Sequence, residues 1–241
     1  MSYGFKSINN DGITQIDGAN DNIAIIATGT AVAQTKEGPL DNTTVPYPAN
    51  LPDDILIFAK PSDPEAATGI PFTCIQKSTG LQFLLPRYNT ATIDIDWAIG
   101  VKHSDMPADT SPGWGIKIFN DSGGAAFSSN NKNFRCQYAA FEIVEYLRWD
   151  PVTVFNINDL TTTYCLMTGH GTAGYVWSGQ LRLIYSIFIV YDINAGPDVN
   201  QVDGTIGFWT GARQAMGFNM GGNSGGRFGS GSLVHLVGSI V

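Results

Sequence analysis

The chain has 241 residues, of which 43% are hydrophobic and only 14% charged, against roughly 25% charged in an average soluble domain. Its 17 Asp against 4 Glu, together with 28 Gly and 12 Pro, favour turns over helices and exclude a helical bundle or coiled coil, while the hydrophobic content excludes a disordered chain. A net charge of −8 without a basic cluster argues against binding through nucleic-acid phosphates, and no apolar run reaches the length of a bilayer-spanning segment.

In chain order, the first feature is a hairpin signature. Tyr3-Gly4-Phe5-Lys6-Ser7-Ile8-Asn9-Asn10-Asp11-Gly12 reads as a short strand entering a turn, with Gly12 suited to positive φ, and Ile16 and Ile23/Ile25 mark the strands that follow. Residues 39–71 carry seven of the twelve prolines. Proline lacks a ladder donor, so this stretch reads as loop interrupted by a strand over 55–59. Strict alternation over 92–101 (Ile93, Ile95, Trp97, Ile99, Val101 against Asp94, Asp96) predicts a strand with one buried and one wet face. Further strands are predicted over 81–85, 134–141, 164–168, 179–191, 205–210 and 232–241, with a weak helical period over 139–147.

The opening hairpin recurs without a gap. Trp114-Gly115-Ile116-Lys117-Ile118-Phe119-Asn120-Asp121-Ser122-Gly123 matches residues 3–12 at an offset of 111, and Ile16, Asn20, Asn22 and Ile23 meet Phe127, Asn131, Asn133 and Phe134. The expected fold is therefore all-β: two hairpin-rich, β-sandwich-like units over 1–111 and 112–241, related by an internal repeat through Tyr3, Gly4, Asn9, Gly12 and Trp114, Gly115, Asn120, Gly123. A single β-sheet system containing two similar hairpins is the alternative. Cys74, Cys136 and Cys165 show no CxxC spacing and an odd number, which fits buried thiols better than a disulfide scaffold. The start lacks the basic and apolar regions of a signal peptide.

The string Tyr-Gly-x-Lys-x-x-Asn-x-x-Gly, followed by Ile16-Asp17 and Thr28-Gly29-Thr30, with a second aromatic-Gly hairpin about a hundred residues later and Leu56-Ile57-Phe58-Ala59-Lys60-Pro61 between them, resembles small β-rich tail proteins of tailed bacteriophages. The resemblance covers the first 140 residues or so. It implies a structural, non-enzymatic virion protein of the tail tip or fibre, made in the bacterial cytoplasm. Its implied partners are other copies of itself, other tail proteins and a host surface glycan or receptor, with no cofactor and no nucleic acid.

Three constellations could carry chemistry. Trp209, Arg213, Arg227 and Phe228 combine aromatic faces with guanidinium donors, as a sugar-binding surface does, and equally suit a loop beside a buried Trp. Asp192, Asn194, Asp198 and Asn200 alternate oxygen ligands around Gly196, which suits a hard cation or a solvated turn. Gly222-Asn223-Ser224-Gly225-Gly226 resembles the nucleophile segment of chymotrypsin-like serine proteases, with His103 or His170 and Asp159 or Asp192 as the remaining members. However, His103 lacks that family's surrounding sequence, and His170 stands only 54 residues before Ser224.

Overall fold

The computed structural model describes residues 6–8, 14–17, 22–33, 44–85, 91–106, 114–120, 123–145, 151–167, 173–177, 181–193, 204–217 and 230–241. Apart from one 3-10 turn, His103–Asp105, every regular element among them is a strand: β1 Lys6–Ile8, β2 Thr14–Asp17, β3 Ile23–Ala33, β4 Val45–Pro46, β5 Leu56–Pro61, β6 Thr73–Lys77, β7 Gly80–Leu84, β8 Ile93–Lys102, β9 Lys117–Phe119, β10 Ala125–Ser128, β11 Phe134–Glu145, β12 Pro151–Ile157, β13 Thr163–Leu166, β14 Ala173–Trp177, β15 Leu181–Ile193, β16 Gly204–Gly217 and β17 Ser230–Ile240. The all-β class is as expected from composition. Residues 139–145, where a helical period competes with alternation, are strand: β11 pairs with β17 as far as Glu145↔Ser230.

Two layers organise the chain. The first is a six-stranded antiparallel sheet in the order β11-β17-β13-β5-β8-β3; the second holds β4-β7-β6 and β12-β16-β15-β14. Phe72, just before β6, bridges Ile189 of β15 and joins the two parts of that second layer. Both halves of the chain thus contribute to both layers. Alternation along β8 buries Ile93, Ile95, Trp97 and Ile99 in the main core, with Ile57 and Ala59 of β5, Leu81 and Phe83 of β7, and Ile189, Tyr191 and Ile206 from the second half.

The other face of the six-stranded sheet is also partly dry. Ile25, Phe58, Ala98, Phe134 and Leu166 form a second core, because the sheet rolls until its two edge strands meet at one end. There Ala24 bridges Asn133, and the Ile25 amide donates to the Lys132 carbonyl at 2.8 Å. Phe58 and Phe134 stack inside this roll with ring centroids 4.0 Å apart.

Pairing in the two halves coincides in register. In the first hairpin Lys6↔Asp17, Ser7↔Ile16 and Ile8↔Thr14 pair. In the second the pairs are Lys117↔Ser128, Ile118↔Phe127 and Phe119↔Ala125, each 111 residues later and with the irregularity at the same place. The following strands keep step. β3 pairs with β8 from Ile23↔Lys102, shifts between Ile25 and Ala27, and continues from Ala27↔Ile99. β11 pairs with β17 from Phe134↔Ile240, shifts between Cys136 and Tyr138, and continues from Tyr138↔Val237. Just before each shift the opposing residue is a glycine, Gly100 or Gly238. A Cβ on Gly100 would fall 2.7 Å from Ile23 Cγ2, and one on Gly238 would fall 2.8 Å from Phe134 Cζ. Each glycine lets the first side chain of the neighbouring edge strand lie flat into the second core.

Candidate functional site

The hairpin β9–β10 is the most solvent-directed apolar feature among the described residues. Its turn is built as its motif requires: Asn120 Oδ1 accepts from the Gly124 amide at 2.8 Å, the Gly123 amide donates to the Asn120 carbonyl at 2.9 Å, and Gly123 takes φ 82°. At the open end Ser129 closes the hairpin. Its Oγ accepts from the Ile116 amide at 2.9 Å and its own amide donates to the Ile116 carbonyl.

One side of the hairpin is tied down. The Asn22 amide and side chain both donate to the Ala126 carbonyl, at 3.0 and 2.8 Å, and Asn131 Nδ2 lies 3.1 Å from His103 Nε2. Asn133 reaches the carbonyls of Ser128 and Asn131. Beside the charged Lys117 and the polar Ser129 and Asn130, three large apolar side chains remain outward: Trp114 is fully exposed at 104%, Ile116 at 66% and Phe119 at 59%. Anchoring on polar contacts while three large apolar side chains face water is the reverse of ordinary surface economy.

A buried polar row lies on the six-stranded sheet next to the second core. Lys60 Nζ meets Asp96 Oδ2 at 2.9 Å, with the two side chains 9% and 27% exposed. Asp96 Oδ1 accepts from Ser62 Oγ at 2.6 Å and Thr30 Oγ1 at 2.9 Å. Lys60 also donates to the Pro61 carbonyl, and its ammonium stands 5.5 Å from the Tyr164 ring centroid. Burial raises the Asp96 carboxyl pKa, but hydrogen bonds from Ser62 and Lys60, the Lys60 charge and Thr30 outweigh it and hold the group below its ordinary value. These contacts satisfy the ion pair.

In the three thiols the outcome is the opposite: burial prevails, against their charged form. Burial pushes Cys136 up to about 11 and Cys165 up to about 12. Cys74 is raised further still by burial. Thiols held this far above neutrality carry little thiolate.

Of the sequence candidates, Trp114, Gly115, Asn120 and Gly123 meet in the β9–β10 hairpin, whereas Tyr3, Gly4, Asn9 and Gly12 lie outside the described residues. Trp209 and Arg213 are on β16. Trp209 pairs with Phe188, and Arg213 is the extra residue of a bulge, because Ala212 faces Tyr185 and Gln214 faces Ile184. Arg227 and Phe228 lie outside the described residues. Asp192 pairs with Thr205 at the end of β15; Asn194, Asp198 and Asn200 lie outside. Among the described residues no three ligating side chains cluster. Ser224 and His170 are likewise outside.

Asp159 has its carboxylate engaged in its own loop, by the Thr161 amide at 2.9 Å and Thr162 Oγ1 at 2.8 Å. Burial raises this carboxyl, and these threonine contacts bring it below its ordinary value. The Lys60–Asp96 row escapes sequence reading because nothing local shows that β5 lies beside β8. No described helix is long and apolar enough to cross a membrane.

No family model, curated protein or solved structure matches this chain. The fold defines the class: a two-layer antiparallel β protein with a rolled six-stranded sheet.

Proposed function

We propose that this protein is a structural, non-enzymatic component of a bacteriophage tail, at the tip or fibre, that works by assembling with copies of itself and with other tail proteins. The observation that supports the reading is the hairpin β9–β10, which stands on polar anchors and turns Trp114, Ile116 and Phe119 outward. Large apolar side chains grouped on one projection lose water-exposed area only by meeting another surface, and aromatic residues are the ones enriched at interface centres. The motif over residues 3–12 that carries the resemblance to phage tail proteins has its second copy in this hairpin.

Low charge fits the reading, since ionic groups are depleted from interface cores. Contact with a host glycan or receptor is the second role the resemblance implies. Two measurements test the proposal. Mass spectrometry of purified particles is expected to find the protein in the virion. Sedimentation of the wild type is expected to show oligomers that Trp114→Ser with Phe119→Ser disrupts, leaving thermal stability unchanged. Absence from particles, together with a wild-type monomer at micromolar concentration, would refute it. Labelling of Ser224 by a fluorophosphonate probe would favour a hydrolase instead.

A further inference from the structure

We infer that the seam between the two halves of this chain is a homodimer-type interface: one unit is used twice about a pseudo-twofold axis, and each copy is the partner of the other. An antiparallel pairing that crosses a twofold axis has equivalent residues at its centre, and two separate seams meet that condition.

In the six-stranded sheet, Leu56↔Gly100 and Ile57↔Ile99 in the first half correspond to Tyr164↔Gly238 and Cys165↔Val237 in the second, which sets β5 and β13 at an offset of 108. Where β5 and β13 pair with each other, Phe58 faces Leu166, and these residues are 108 apart. The mates of that central pair are symmetric too: Cys165 faces Ala59, while the Met167 amide donates to the Ile57 carbonyl at 2.6 Å.

The second seam closes the roll. Ala24↔Asn133 and the bond from the Ile25 amide to the Lys132 carbonyl run in a register that centres on Ile23 and Phe134, which are 111 apart, the offset of the hairpins. In the other layer, Phe72 and Ile189 join the two halves by exchanging both backbone bonds, at 3.0 and 2.7 Å, as a hydrogen-bonded antiparallel pair does. Strand order agrees: β11-β17-β13 answers β3-β8-β5 in mirror sequence across the sheet, and β12-β16-β15 answers β4-β7-β6, with β14 as an addition.

The repeat therefore reaches well beyond the two hairpins, and it extends to the ends of the units. The His103 amide donates to the Asn22 carbonyl at 2.8 Å, and the Val241 amide donates to the Asn133 carbonyl at 3.0 Å. Val241 stands in its unit where His103 stands in the first. Residues 104–113 carry the chain from His103 to Trp114, and the counterpart of Trp114 is Tyr3. Ten residues placed between Val241 and Tyr3 would make the equivalent connection on the other side of the axis.

The test is a circular permutant of the full chain: a copy of residues 104–111 joins Val241 to Met1, which with Ser2 gives ten residues before Tyr3, and new ends are opened within 107–113. The inference expects a soluble protein with one cooperative unfolding transition and a melting temperature within about 5 °C of the parent, a shift of roughly 1–2 kcal/mol for a chain of this size. A permutant without a cooperative transition counts against it.

A second variant guards against damage at the new ends. The parent chain carries a protease site within 107–113 and is cut after folding. The two fragments are expected to co-elute as a one-to-one complex and, after denaturation and dilution, to recombine at a rate that rises with concentration. Fragments that separate on cutting, or that do not recombine, would overturn the inference.

Discussion

Strand pairing in the two halves coincides in register, while one row of side chains shows how differently the halves fill it. In the first half Thr30 pairs with Asp96, and Asp96 with Lys60. At the same register in the second half Phe141 pairs with Val234. Thr30 and Asp96 of the polar row thus stand where the other half has two apolar residues. The backbone pairing nevertheless matches on either side of that row, including the shifts opposite Gly100 and Gly238. Register in this fold is therefore set by the bulges and by the glycines that accept Ile23 and Phe134, and the polar row is one half's local way of filling a shared frame.

The largest expected effect tests the glycines. A Cβ on Gly238 would run into the Arg135 carbonyl as well as Phe134, whereas one on Gly100 would meet only side chains, of Ile23 and Phe58. Gly238→Val should prevent folding or cost at least about 4 kcal/mol, and Gly100→Val should cost less, about 1–3 kcal/mol, because side chains give way and backbone does not. Chemical denaturation of both variants checks the order; equal losses would show that the glycines are not placed as described.

Next comes the row itself. Asp96→Val alone leaves the Lys60 ammonium buried without its partner and should cost about 3 kcal/mol, whereas Asp96→Val with Lys60→Met should recover most of that loss, because replacing both members of a buried pair is far cheaper than removing one. A double variant no more stable than the single would show that the row, rather than the frame, holds this half.

The acid limb of stability separates the halves in a different way. Asp96 and Asp159 are both held below the ordinary carboxyl value, so each contributes stability that is fully present above the unfolded-state value near roughly pH 4 and is lost as pH falls through the lower folded-state value. Melting temperature should drop on acidification. Asp96→Asn should flatten the part of that drop due to the first half, and Asp159→Asn the part due to the second. Unaltered pH profiles in both variants would contradict the hydrogen-bond networks. The smallest effect is expected from Tyr164→Leu, which removes the ring beneath Lys60 and should cost about 0.5–1 kcal/mol.

How far the sequence discloses this fold depends on the strand. β8 is legible because Ile93, Ile95, Trp97 and Ile99 alternate without interruption. β3 is legible only to Ile25: the bulge at Ile26 switches which residues face the core, and Ala27, Gly29 and Ala31 then supply little apolar contrast. Gly29 has no side chain because the Trp97 indole occupies that space, with Cζ2 2.6 Å from where a Cβ would sit. The Asn120–Gly123 turn was readable because its chemistry is local. The Lys60–Asp96 pair was not, because its members are 36 residues apart and Asp96 alone reads as part of a wet face. The exposure of Trp114 was also hidden, since an aromatic residue before a strand reads equally well as core. Trp209 and Arg213 share β16 by backbone, which leaves a ligand-binding role for the four C-terminal candidates as an expectation.

Lys60 lies over Tyr164 across the seam between β5 and β13, and the counterpart of Tyr164 is Leu56, since these two residues face Gly238 and Gly100. Two first units meeting each other would set Lys60 against leucine and bring two ammonium groups to the same seam. The backbone there is nearly indifferent to which unit arrives, whereas the ring of Tyr164 under Lys60 favours the unlike one by the small margin expected for Tyr164→Leu. A joint that is symmetric in its hydrogen bonds thereby carries a slight polarity in its side chains, set by which residue lies under Lys60.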